Sequence, residues 1–161
     1  MEEILIISTG GTFNKYYNRK NGLLLIDKSN KTVEKIFDHW LCKFKIISII
    51  GKDSLDIDTK DREEILETIS KSIYTKIVVI HGTDTINIST KFVANANLNK
   101  QVIFTGAMTP FSIDNIEATA NLASAIGYIK ATKDNGVYIS LNGAIGSYKE
   151  VVKDRVLGKF V

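Results

Sequence analysis

The chain has 161 residues, 44% hydrophobic and 24% charged, with a formal net charge of +3. This is enough for one domain with one core, in a composition ordinary for a globular protein. The small charge is spread along the chain without a basic stripe carrying interleaved aromatics, so nucleic acid is not an expected partner. No apolar run approaches membrane-spanning length, so no membrane partner is expected either. Cys42 is the one cysteine, which excludes an intramolecular disulfide and a paired-cysteine metal signature. His39 and His81 lie far apart without ligand spacing, so no metal is expected.

The first strand is predicted over residues 4–8, beginning at residue 3 or 4, and runs into Thr9-Gly10-Gly11-Thr12. No basic segment or small-residue cleavage site precedes it, which makes the cytoplasm the expected compartment. Residues 13–20 and 23–27 flank Asn21-Gly22, a strong short hairpin signal, and read as a mobile lid hairpin over the sheet edge or as a plain connecting loop. A weak helical pattern covers 32–41. The second strand, 45–50, leads to Gly51-Lys52-Asp53-Ser54. Asp58-Thr59 then opens a helix whose stripe is Ile65, Leu66, Ile69 and Ile73.

The third strand, 76–80, ends in His81-Gly82-Thr83-Asp84-Thr85, and a weak helix follows over 88–96. The fourth, 101–105, ends in Gly106-Ala107-Met108-Thr109-Pro110. A further helix opens near 112–114 with the stripe Ile116, Ala120, Ala123 and Ile126. The fifth strand, 136–141, is followed by Asn142-Gly143 and then by Lys149-Glu150-Val151-Val152-Lys153. The sequence contains no internal repeat and no domain linker.

The five runs are nearly continuous in hydrophobicity, as strands covered on both faces require. Alternation with helices predicts one doubly wound, flavodoxin-like parallel α/β domain over residues 1–161, with five strands in the order 2-1-3-4-5. Parallel strands bring all five glycine-bearing segments to one rim, where open α/β sheets bind ligands. Glycine lets backbone approach a ligand there, and the threonine hydroxyls can point at it.

Together these segments resemble a family. Thr9-Gly10-Gly11-Thr12 and His81-Gly82-Thr83-Asp84-Thr85 resemble the two signature motifs of bacterial-type L-asparaginases and related glutaminases. Asp53-Ser54-Leu55-Asp56 resembles the substrate-binding serine segment. Thr105-Gly106-Ala107-Met108 with Pro110 resembles the GAMRP loop, with Thr109 in place of Arg, and Lys149–Lys153 resembles the RDVTK segment, with Val152 in place of Thr. Their order and spacing agree along almost the whole chain.

The resemblance implies a cofactor-free threonine amidohydrolase that converts L-asparagine to L-aspartate and ammonia. Thr12 would be the nucleophile, and a threonine hydroxyl needs a base to take its proton. Tyr17 is the lid tyrosine chosen for that task, with Tyr16 as runner-up. Thr83, Asp84 and Lys153 would form a second unit, with backbone amides near Thr83 stabilising the oxyanion. Ser54 and Asp84 would grip the substrate's α-carboxylate and α-ammonium, assisted by the backbone of Asp53 or Leu55. Gly11, Gly82, Ala107 and Met108 complete the substrate-binding set.

His81 is expected to bond neighbouring backbone. Family members are typically about twice this length, with a second α/β domain, and this chain resembles the short form with the first domain alone. A homodimer or homotetramer is expected, with Tyr148, Val156, Leu157 and Phe160 at the contact. The rival readings are a glutaminase, an amidotransferase-type ammonia-releasing subunit, a non-catalytic amino-acid-binding module and a flavin- or nucleotide-binding protein.

Overall fold

A computed structural model describes residues 4–161, so the alternative strand start at residue 3 lies outside the described residues. In chain order the elements are β1 (Ile4–Gly10), β2 (Lys15–Asn18), β3 (Leu23–Ile26), α1 (Lys31–His39), β4 (Lys45–Lys52), α2 (Thr59–Lys71), β5 (Lys76–Ile80) and α3 (Ile86–Ala94). There follow β6 (Gln101–Thr105), α4 (Ile116–Ala131), β7 (Gly136–Leu141), β8 (Ala144–Gly146), β9 (Lys153–Asp154) and β10 (Lys159–Phe160).

The main sheet has the order β4-β1-β5-β6-β7-β8. Its first five strands are parallel and reproduce the expected 2-1-3-4-5 arrangement, while β8 adds an antiparallel sixth. Alternate residues of the central strands serve two cores. Ile4, Ile6, Val78 and Ile103 pack with α1 and α4, while Leu5, Ile7, Val79 and Val102 pack with α2 and α3. Both faces are covered, which is why these strands read as unbroken apolar runs. Among the described residues no helix is long and apolar enough to cross a membrane.

Asp58 caps α2 as expected, accepting from the Asp61 amide while the Asp61 side chain accepts from the Asp58 amide. Ile73 is not on the helical stripe: α2 ends at Lys71, and Ile73 is 89% exposed. On α4 the buried face is Ala118, Leu122, Ala125, Ile126 and Ile129, leaving Ile116, Ala120 and Ala123 outside. Leu122 and Ile129 bring more apolar surface to the core than a stripe built on two alanines, so the helix turns that face inward.

The 13–30 region does form a hairpin, with Lys15 opposite Ile26 and Asn18 opposite Leu23. Its turn spans four residues, 19–22, rather than the two of Asn21-Gly22, and the Gly22 amide closes it on the Asn18 carbonyl. A two-residue Asn-Gly turn occurs instead at Asn142-Gly143, both at positive φ, where Leu141 pairs with Ala144 and starts β8.

Candidate active site

Close approach of three loops builds the rim. Gly11 sits at φ 76°, and a Cβ there would lie 2.6 Å from the Cα of Gly82. A Cβ on Gly82 would in turn lie 2.6 Å from the Cβ of Ser54. Only hydrogen fits at these points, so the loops after β1, β4 and β5 lie against one another. Thr9 ties β1 to β5 through its hydroxyl, 2.9 Å from the Ile80 carbonyl.

Thr12 opens a short 3-10 turn, Thr12–Asn14, and is half-buried. Phe13 is fully buried beneath it, and the Asn14 amide donates to the Ser8 hydroxyl and the Gly10 carbonyl, both at 3.0 Å. These anchors fix the turn, while the Thr12 hydroxyl has no hydrogen-bond partner among the described residues.

The second threonine is engaged. The Lys153 ammonium donates to Thr83 Oγ1 at 3.0 Å and to Asp84 Oδ1 at 2.9 Å. Arg155, which the sequence reading missed, donates to the same Asp84 oxygen at 3.1 Å. The Lys153 hydrogen bond holds the Asp84 carboxyl below its usual range, with Arg155 adding to it and burial opposing.

Asn87 on α3 delivers the lysine: its amide donates to the carbonyls of Tyr148 (3.0 Å) and Val151 (2.9 Å), holding the turn that precedes β9. Val152 and Val161 then pair through both their amides and carbonyls. Phe160 is buried at 2% exposure, so it is not available to a contact surface, and Tyr148 is half-buried against the core. Val156 and Leu157 remain exposed.

Ser54 is buried and serves the neighbouring loop, its hydroxyl accepting from the Asp84 amide at 3.2 Å and its carbonyl from the Thr85 hydroxyl at 2.7 Å. Asp53 pairs with Lys15 at 2.5 Å and accepts from the Leu55 amide at 3.3 Å. Burial would raise the Asp53 pKa, but these two bonds outweigh it and the carboxyl titrates below its usual value. The Leu55 amide thus donates to Asp53, and the residue is 72% exposed at the rim.

Ala107 is buried and Met108 half-buried in a loop fastened by Glu117, whose carboxylate accepts from the amides of Met108 (3.1 Å) and Thr109 (2.9 Å). This latch was also absent from the sequence reading. Tyr16 and Tyr17 alternate along β2. Tyr17 therefore shares the face of Lys15, while Tyr16 lines a separate hollow with Ile26, Asp27, Lys28 and Lys31.

His81 is fully buried, with Nδ1 2.7 Å from the Gly82 carbonyl and Nε2 unpartnered. Desolvation pushes its pKa down to about 4. Among the described residues no three His, Cys, Asp or Glu side chains gather as a metal site.

This is a doubly wound α/β domain whose sheet carries two threonine loops and a lysine together at its carboxyl edge. The sequence matches the asparaginase N-terminal domain over residues 3–156, and the chain belongs to that family. Three L-asparaginase structures share its fold. The thermostable enzyme from Thermococcus kodakarensis superimposes with a TM-score of 0.85 at 24% identity, covering 99% of this chain and 50% of that one.

A probable cytoplasmic L-asparaginase from Campylobacter jejuni gives 0.76 at 26% identity, covering 95% and 50%. L-asparaginase I from Vibrio cholerae gives 0.80 at 22%, covering 99% and 51%. The chain spans about half the length of each. No relative among curated proteins matches the sequence.

Proposed function

We propose that this domain is an asparaginase-type amidohydrolase that releases ammonia from the side-chain amide of L-asparagine, leaving L-aspartate. The observation that carries the reading is the Lys153 ammonium, shared between Thr83 Oγ1 and Asp84 Oδ1. A cation donating to a hydroxyl oxygen makes that hydroxyl's own proton a stronger donor, so Thr83 can meet negative charge as it develops on the amide oxygen. Thr12, held by buried Phe13 and Asn14 with a free hydroxyl, supplies the nucleophile.

In the reaction the Thr12 oxygen bonds the amide carbon as its proton passes to a base. The base returns that proton to the amide nitrogen as the C–N bond breaks, ammonia leaves, and water cleaves the resulting ester to free aspartate and restore the Thr12 hydroxyl. Tyr17 is the proposed base, because it lies on the hairpin face whose Lys15 reaches Asp53 at the rim. Gly11, Gly82, Ser54, Asp53, Ala107 and Met108 shape the remaining walls. The backbone of Asp53 or Leu55 assists in holding the substrate.

The proposal includes a cytoplasmic setting, as described for the Campylobacter relative, and self-association through the exposed Val156–Leu157 turn beside Lys153. Ammonia release from L-asparagine, L-glutamine and their D-forms tests the activity. Light scattering at assay concentration tests the assembly. Turnover of L-asparagine supports the reading, and no release from any of the four amides overturns it.

A further inference from the structure

Helix α4 carries only two charged side chains, Glu117 and Lys130, among its 16 residues. A helix apolar on nearly every side is normally covered on every side. Ala118, Leu122, Ala125, Ile126 and Ile129 are covered by the core, but Ile116 is 72% exposed, and Ala120 and Ala123 are exposed with it. This uncovered face is one wall of a hollow of about 590 Å³ between α4 and α1.

The facing wall is made by Lys35, Ile36 and His39 of α1, by Trp40 just past its end, and by Phe111. Alanine side chains on the α4 wall keep the hollow open, and its volume lies in the range of small-molecule pockets, roughly 300–1,000 Å³. The Lys35 ammonium lies 5.7 Å from the Phe111 ring centroid, which sets a positive charge against an aromatic wall. His39 is held beside it by Nδ1, which donates to the Lys35 carbonyl at 2.8 Å.

Among the described residues no Asp or Glu lines this hollow. The acids nearest in sequence are placed elsewhere. Glu34 and Asp38 line a separate hollow with Phe44 and Lys45. Asp114 Oδ1 accepts from the Ile116 amide at 2.9 Å, and Glu117 accepts from the amides of Met108 and Thr109. The charge that complements the hollow is therefore negative, and the body that complements its walls is apolar.

We propose that the hollow binds a small hydrophobic monocarboxylate, its apolar body between Trp40, Phe111 and the α4 alanines and its carboxylate on the Lys35 ammonium. A second copy of the chain is a poorer occupant, because across a twofold axis the concave surface meets itself and the two Lys35 side chains are brought together. None of Thr12, Thr83, Asp84 and Lys153 lines the hollow, so this site stands apart from the amidase reading of the rim.

Trp40 is the one tryptophan of the chain, so its fluorescence reports on the hollow directly. The protein is titrated with octanoate, with 1-octanol (the same body without charge) and with acetate (the charge without the body). Octanoate is expected to give a saturable change at about 1 mM or below, 1-octanol to bind at least about fivefold more weakly, and acetate to give none. Lys35→Gln is expected to weaken octanoate about fivefold and leave 1-octanol unchanged, while Ala123→Leu, which fills the hollow, weakens both by about tenfold.

Both positions are exposed, so both variants are expected to fold, and melting curves check this. Should either fail to fold, the comparison of octanoate with 1-octanol in the wild-type protein decides alone. Equal binding of the two, or no saturable response to octanoate, overturns the proposal, as does unchanged octanoate affinity in folded Lys35→Gln or Ala123→Leu. Light scattering is recorded on the same samples. A dimer that persists in octanoate without a fluorescence response assigns the hollow to a second copy and also overturns it.

Discussion

Lys153 and Thr83 lie 70 positions apart in the chain, yet the lysine ammonium is 3.0 Å from the threonine hydroxyl oxygen. Two local features produce the contact. The parallel β5 ends at Ile80 so that Thr83 stands on the rim, and Asn87 on α3 holds the turn that leads into β9. The lysine is therefore positioned by the helix that follows the threonine it serves.

Replacing it separates chemistry from architecture. Lys153→Met is expected to lower ammonia release by about two to four orders of magnitude, as loss of a proton-transfer or charge-stabilising group does. Lys149 lies over the Tyr148 ring, 5.8 Å from its centroid, and Lys149→Met is expected to leave turnover near wild type. Steady-state assays of the two variants check this, and inactivity of Lys149→Met with an active Lys153→Met reverses the assignment.

Gly11→Ala is expected to break the site through the backbone. The added Cβ meets Gly82 at 2.6 Å, and the position is held at φ 76°. A loss of about 2 kcal/mol in stability follows, together with loss of activity as the two threonine loops are forced apart. Gly143 also has positive φ, but nothing lies within 4 Å of a Cβ there. Gly143→Ala should cost only about 1 kcal/mol and spare the activity. Denaturant unfolding with parallel assays distinguishes the two.

Much of this was legible because both faces of the sheet are covered. Five continuous apolar runs marked the five parallel strands, their order and the shared rim, though not the antiparallel β8, and the glycine-threonine segments marked what stands on that rim. Residues that act through long-range bonds were not legible. Glu117, Asn87 and Arg155 look like ordinary surface residues until the fold sets them against the 106–110 loop, the turn before β9 and Asp84. The Asn-Gly hairpin rule was physically sound but attached to the wrong pair. Asn142-Gly143 joins strands pinned by the main sheet, whereas Asn21-Gly22 closes an isolated two-stranded ribbon through a wider turn. On α4 the alanines blurred which face was apolar, and contact with the sheet decided it.

His81 sets an acid-side limit on stability. Desolvation holds the buried ring neutral, with its pKa pushed from 6.5 down to about 4, so the unfolded chain binds a proton in that window that the native state does not. This contribution is fully present above pH 6.5 and is lost as pH falls toward 4. The loss amounts to roughly 2 kcal/mol by about pH 5. His81→Asn removes the titrating ring while keeping a donor for the Gly82 carbonyl, so its stability should change less over the same range. Urea unfolding at several pH values checks this, and an unaltered pH slope in the variant contradicts it.

The β2–β3 hairpin is expected to act as a lid ordered by ligand. Arg19 and Lys20 lie exposed in its turn, while Lys15 is tied to Asp53. Trypsin should cut first at Arg19 or Lys20, and saturating L-aspartate should slow the cut. Mass spectrometry of timed digests reads the sites, and equal rates with and without ligand remove the lid.

The most direct test of the account is ammonia release from L-asparagine by Thr12→Val and Thr83→Val, each confirmed folded by its melting curve. Valine keeps the shape and removes the hydroxyl. Both variants are predicted to fall by at least about a hundredfold against a wild type that turns over L-asparagine. A folded variant of either kind that releases ammonia at near the wild-type rate would contradict the two-threonine mechanism.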